Sequence, residues 1–163
     1  MRTIKFKAKA ANGEWVVGCL LHRQDGSVYI YDDNNDVPFS GLVCSEEETA
    51  LRIPVDRNTV CQFTGFLDKD GKEIYEGDVL KRTCGIAHDI TSSLYDVYGI
   101  VSFEVFSACF VMHEFYLSMA TEKVSPMACG HNFTQDYLQD FEVVGSVHDK
   151  EWQEKLNYNP DAL

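Results

Sequence analysis

The stretch that most limits the fold is Gln62–Val79, QFTGFLDKDGKEIYEGDV, with glycines at 65, 71 and 77 and acids at 68, 70, 73, 76 and 78. It follows Thr59-Val60-Cys61-Gln62-Phe63, a β-branched and aromatic run that predicts a strand. Asp68-Lys69-Asp70-Gly71 has the residues of a type I turn closed by a left-handed glycine. Glu73-Ile74-Tyr75 is then a short extended return, with Ile74 and Tyr75 expected to bury beside Phe63 and Phe66. Glu76-Gly77-Asp78 makes a second bend, Gly77 supplying its unusual φ, before Val79-Leu80 opens the next strand. A chain that turns twice in so short a distance is a corner between short strands, and its carboxylates are expected to stay in water.

Two chemical readings compete with the corner. A calcium loop that starts at Asp68 puts Asp70 at position 3, but it puts Lys72 at 5, Glu73 at 6 and Val79 at 12. An EF-hand loop needs an oxygen ligand at 5, glycine at 6 and glutamate at 12. A catalytic role for Asp68, Asp70, Glu73, Glu76 or Asp78 has no partner motif to support it. In a chain with 26 acids, neighbouring carboxylates discriminate nothing.

The rest of the chain repeats the theme of short strands and glycine turns. Ile4-Lys5-Phe6-Lys7-Ala8-Lys9 alternates with period two, the mark of a half-buried strand. Asn12-Gly13 then leads into Trp15–Leu21, and Asp25-Gly26 into Val28-Tyr29-Ile30-Tyr31, which predicts a three-stranded meander. Asp32–Gly41 is turn-rich and polar. Ser45-Glu46-Glu47-Glu48 fits a capping box for a short helix reaching about Arg52 and ended by Pro54. Val79–Arg82 reads as a strand and Cys84–Tyr95 as a loop. Gly99–Phe106 and Cys109–His113 read as an antiparallel pair joined by Ser107-Ala108. Thr134–Gln139 has room for one helical turn. Phe141–Val147 reads as a late strand, and Asp149 caps a short terminal helix with Trp152 and Leu156 on one face. The fold class is therefore mainly β: a small barrel or roll of short antiparallel strands with one or two short helices. A single domain over 1–163 is expected, with sub-lobes 1–57 and 58–163.

Hydrophobic residues make up 45% of the chain and aromatics 12%, enough for a packed core. The longest uncharged stretch, Val105–His113, falls far short of the ~20 residues that span a bilayer. The first residues, MRTIKFKAKAANGEW, lack an apolar signal segment, so a cytoplasmic protein without a membrane role is expected. The six cysteines form no C-x-x-C pair, and in that compartment they are expected to be reduced and small-hydrophobe-like. Net charge is −12 but uneven. Residues 1–23 hold five basic groups against one acid, while the other 140 hold nine against 25. Such a surface repels phosphates, which argues against nucleic acid as partner.

The Gln62–Val79 segment closely resembles the hallmark of the YopX family of phage and prophage proteins. Its marked positions here are Gly65, Asp68, Gly71, Ile74, Tyr75, Glu76, Gly77 and Asp78. Ile4–Ala8 is similar to the family's opening strand, and Val143–Asp149, with Gly145, to its closing strand and helix start. The opening strand departs from the family in having Lys7 and Lys9 where a basic residue and a tryptophan are usual. Ser146 stands where asparagine is usual, and Thr83–Tyr98 has no counterpart. The resemblance implies an SH3-like barrel or roll, a gene of a phage or integrated element, and residence in a bacterial host cell. It implies no activity and transfers no catalytic residue.

Other chemistry has little support. His113-Glu114 lacks the second histidine of a zinc-protease helix, because residue 117 is leucine. Cys109, His113, Cys129 and His131 are the candidate ligands of a Cys₂His₂ zinc site, provided the strand and the 129–131 loop lie together. Structural roles for these four are preferred, so no metal, cofactor or catalytic residue is assigned. Three functions are carried forward. The first is a non-enzymatic module that binds a protein partner, a second copy of itself included. The second is an acidic mimic that occupies a host nucleic-acid-binding protein. The third is a hydrolase or metal enzyme.

Overall fold

The computed structural model describes residues 3–31, 52–85, 94–117, 124–126 and 133–156. The expected capping box at Ser45–Glu48 lies outside them, as do Cys129 and His131. The chain divides into two compact units, Met1–Phe63 and Thr64–Leu163. No helix among the described residues is long and apolar enough to cross a membrane.

The first unit carries β1 (Phe6–Lys9), β2 (Trp15–His22), β3 (Val28–Tyr31), β4 (Arg52–Pro54) and the start of β5 (Cys61–Leu67). All pairings are antiparallel, in the order β4-β3-β2-β1-β5. The expected meander is there, closed by Gly13 and Gly26 with positive φ. Period two is visible in the burial of β3, where Val28 and Ile30 are buried and Tyr29 and Tyr31 half-buried; on β1 Ala8 is fully buried and Lys7 and Lys9 stand over the Trp15 ring at 4.6 and 5.1 Å, but Ile4 before it is exposed. The sequence placed Arg52 at the end of a helix. It is instead the first residue of β4, paired with Tyr31, and Pro54 sits on this edge strand, where a missing N–H is tolerated.

The second unit holds the end of β5, with β6 (Glu73–Tyr75) beside it, and a five-stranded antiparallel sheet. That sheet comprises β7 (Asp78–Gly85), β8 (Leu94–Glu104), β9 (Cys109–Leu117), β10 (Val124–Pro126) and β11 (Glu142–Ser146), in the order β10-β9-β8-β7-β11. The described residues of the unit also form two short helices, α1 (Gln135–Leu138) and α2 (Lys150–Leu156). The mainly-β class is thus observed, as two antiparallel sheets, and no pairing closes either sheet into a barrel among the described residues.

Register sets the two faces of the five-stranded sheet. Leu80, Gly99 and Glu114 lie opposite one another on one face, and Val79, Ile100 and His113 on the other. On the first face Leu80, Val101 and Met112 pack with Leu138 of α1 and with Phe141. On the second, Val79 and Phe115 pack with Trp152 of α2. Helices this short do not form alone. Burying an anchor such as Trp152 contributes roughly 2–3 kcal/mol, so tertiary contact holds α2 in place.

The structure extends β7 to Gly85 and starts β8 at Leu94, taking into the sheet residues that the sequence assigned to a loop. Thr83 faces Asp96, donating to its carboxylate at 2.6 Å, and Lys81 Nζ lies 3.0 Å from the same carboxylate. These polar cross-strand contacts sustain pairing without an apolar signature. Chiefly the Thr83 hydroxyl, and then Lys81, hold the Asp96 carboxyl below its ordinary range.

Candidate functional site

The residues of the central segment are spent on the backbone. Asp68 is buried at the end of β5. Its Oδ1 accepts from the N–H groups of Asp70 at 2.9 Å and Lys72 at 2.8 Å, and its Oδ2 from that of Val143 at 3.0 Å. One carboxylate therefore closes its own turn and ties it to β11. The Asp68 and Gly71 amides bond to the carbonyls of Lys72 and Asp68, and the Lys69 amide reaches Phe141 O at 2.8 Å. Gly71 has φ +81°, which completes the turn in the left-handed region. Thr64 donates its hydroxyl to Ile74 O at 2.8 Å, drawing β6 back beside β5, and Gly65 lies exposed between.

The second bend works the same way. Asp78 is fully buried, and its Oδ2 accepts from the Tyr75 N–H at 2.8 Å. Gly77 donates to Val101 O at 2.8 Å and accepts from the Val147 N–H at 2.9 Å and the Ser146 hydroxyl at 3.2 Å. Tyr75 donates its hydroxyl to Glu73 at 2.6 Å. Burial first, and then Glu73, push the Tyr75 phenol far above its ordinary value. Glu76 is half-buried beside Gly77. The expectation that all five carboxylates stay wet is therefore corrected for Asp68 and Asp78, which are buried and bonded to amides. Hydrogen bonds to a charged acceptor are the stronger kind, so these carboxylates are held to the backbone they brace. Gly145, far off in sequence, serves the same frame. A Cβ there would sit 2.1 Å from Trp152 Nε1.

Cys109 and His113 both lie on β9, exposed and on one face. Cys109 donates to Ser107 Oγ at 3.2 Å, and His113 Nε2 lies 3.0 Å from Ser102 Oγ. No group of three His, Cys, Asp or Glu is placed to hold a metal among the described residues. Cys61 is buried and its thiol donates to Thr59 O at 3.3 Å, whereas Cys19 and Cys109 are exposed rather than core residues.

A polar group that no sequence motif marked is buried on the first sheet face. Glu114 of β9 is buried and accepts from the Tyr137 hydroxyl of α1. Arg82 of β7 lies 3.9 Å from the other Glu114 oxygen, its guanidinium 5.0 Å from the Tyr137 ring and 4.9 Å from that of Phe141. Burial, followed by Glu114, drives the Tyr137 phenol well above its ordinary value. The group fastens α1 to the sheet. Alternation carried one residue past His113 would have found it, because Phe110, Met112 and Glu114 share the inner face.

A second overlooked feature lies at the opposite end of β8. The strand pairing ends at Glu104–Cys109, so Val105 and Phe106 belong to the turn and not to the strand the sequence predicted. Ala108 closes that turn at φ +51°. Val105 is 79% exposed and Phe106 101%, with Phe103 also exposed beside them.

Two antiparallel sheets, with an amide-bonded corner in the second unit, define a mainly-β protein. The chain belongs to the YopX family, whose model, described as YopX protein, matches residues 5–151. Among solved structures, protein EF1440 from Enterococcus faecalis is similar, with a TM-score of 0.44 and 16% identity over 93% of this chain and 97% of that one. No curated protein matches the chain.

Proposed function

We propose that this chain is a non-enzymatic protein-interaction module of a phage or prophage, working in the cytoplasm of a bacterial host. It engages its partner through the end of the β8–β9 hairpin. The observation that carries this is the exposure of Phe103, Val105 and Phe106 side by side on a chain of net charge −12. Large apolar side chains gathered at one projecting turn mark a contact surface, whereas single scattered ones do not. The family's hallmark acids give no competing site, since Asp68 and Asp78 serve the backbone.

The test compares the wild-type chain with the double variant Val105→Ser/Phe106→Ser, each immobilised and exposed to host lysate. Thermal unfolding of both is measured in parallel. Loss of a specific host protein from the variant, at unchanged stability, is the expected result. Equal retention by both chains sinks the proposal.

A further inference from the structure

We infer that the β8–β9 hairpin end is a knob that enters a preformed apolar pocket on a host protein, and that the surface around that pocket is basic. The inference rests on the interaction-module reading and adds the chemistry of the partner. It starts from an overhang. Pairing of β7 with β8 stops at Val79–Ile100, while β8 and β9 run on together to Glu104–Cys109. On the far side, β10 meets β9 only at Phe115–Leu117, toward the other end. Beyond Val101, whose carbonyl still accepts from Gly77, the hairpin is a two-stranded ribbon.

Such a ribbon is marginal alone, yet this one is anchored, because Phe110 of β9 is buried in the core cluster with Leu80 and Phe141. Phe103 and Phe110 face each other across it as an edge-on pair, ring centroids 5.3 Å apart at 73°. At the turn, Ser107 donates to Glu104 Oε2 at 2.6 Å and accepts from the Cys109 thiol. These side chains satisfy one another, and Val105 and Phe106 stand largely in solvent. A rigid, pre-ordered apolar projection loses little entropy on docking.

Charge chooses the occupant. An exposed phenylalanine offers roughly 200 Å², so the tip supplies a few hundred at most. Any specific interface needs about 800 Å² from each partner, so the tip is the anchor of a wider contact. The tip therefore suits a single anchoring side chain in a pocket, the usual form of a hot spot. Residues 64–163 carry seven Lys and Arg against 17 Asp and Glu. Glu104 borders the tip, and Glu76 precedes the Gly77 that bonds to Val101. The same face of a second copy would meet it with like charge, whereas a basic rim would attract it and speed association.

The experiment uses the full chain, immobilised, against host lysate at low and at high salt, with wild type, Phe106→Ser and Phe106→Leu. The expected result is a retained basic protein whose binding falls about thirtyfold in Phe106→Ser. Phe106→Leu recovers most of it, and high salt weakens it. If Phe106→Ser loses a partner that is acidic, salt-insensitive or another copy of this chain, the inference fails and the interaction module stands. If Phe106→Ser retains the same protein as wild type, the tip is not the contact and both fail. Retention of nothing by any chain also overturns both.

Discussion

The corner at Thr64–Val79 and the end of the β8–β9 hairpin treat their side chains in opposite ways. At the corner, polar groups are buried and bonded. Asp68 takes the amide hydrogens of Asp70, Lys72 and Val143, and Asp78 takes that of Tyr75. At the hairpin end, polar groups bond to one another and apolar groups are left in water. Burying carboxylates and exposing phenylalanine are both costly departures from the usual partition. The first is offset by fixed backbone geometry. The second has no such offset within the chain. The family's most recognisable residues therefore explain why the protein holds together, and its less recognisable ones are where contact with something else is to be sought.

The largest expected effect is at the corner. Asp68→Ala would leave three amides without their acceptor and release the turn from β11, at a cost of about 4 kcal/mol. Chemical denaturation measures it, and a loss of under about 1 kcal/mol would show the corner to be dispensable. Gly145→Ala comes next. The new methyl would strike the Trp152 ring, 2.1 Å from Nε1 and 2.4 Å from Cδ1, with the ring buried under α2. Overpacking of this kind costs about 3 kcal/mol. Near-UV circular dichroism should show the Trp152 environment change, and an unchanged spectrum would mean that α2 shifts without cost.

The corner was legible because its turn residues are local signals. Gly71, Gly77 and the aspartates before them announce bends whatever surrounds them. What they could not announce is where the carboxylates go. Val143, which gives Asp68 its third hydrogen bond, is 75 residues away. Cys84, Gly85, Leu94 and Tyr95 read as loop for a related reason, since their strand pairing relies on Thr83, Lys81 and Asp96, which look polar one at a time. Phe106 was misread in the other direction. Its aromatic ring carries strand propensity, but β7 does not reach that far, and propensity yields where a sheet runs out. Glu114 escaped because the strand was ended one residue early.

The buried polar group lies between the two extremes and can be tested by pH. Tyr137 has a folded-state value raised above the ordinary 10.0, by burial and then by Glu114. The folded state keeps a proton that the unfolded state gives up. The contribution is therefore fully present below about pH 10 and is lost as pH rises from there toward the folded value. Tyr137→Phe should cost about 2 kcal/mol at neutral pH, through loss of the hydroxyl that serves Glu114. It should also flatten the alkaline decline, with Tyr75 accounting for what remains. Unfolding curves of both chains from pH 8 to about 11 decide the matter. Parallel declines would remove Tyr137 as the cause.

The smallest expected effect on stability is at the hairpin end, and its smallness is the point of the comparison. Phe103→Ala removes the ring that faces Phe110 and should cost about 1 kcal/mol, because that pair stiffens the ribbon. Phe106→Ser removes a ring that touches nothing, and should leave the unfolding midpoint within about 0.5 kcal/mol of wild type. A residue with large apolar area and no role in folding is what a contact residue looks like in the unbound protein. If Phe106→Ser instead destabilised the chain as much as Phe103→Ala, the ring would be packing against the molecule itself. The hairpin end would then belong with the corner, as one more part of the frame.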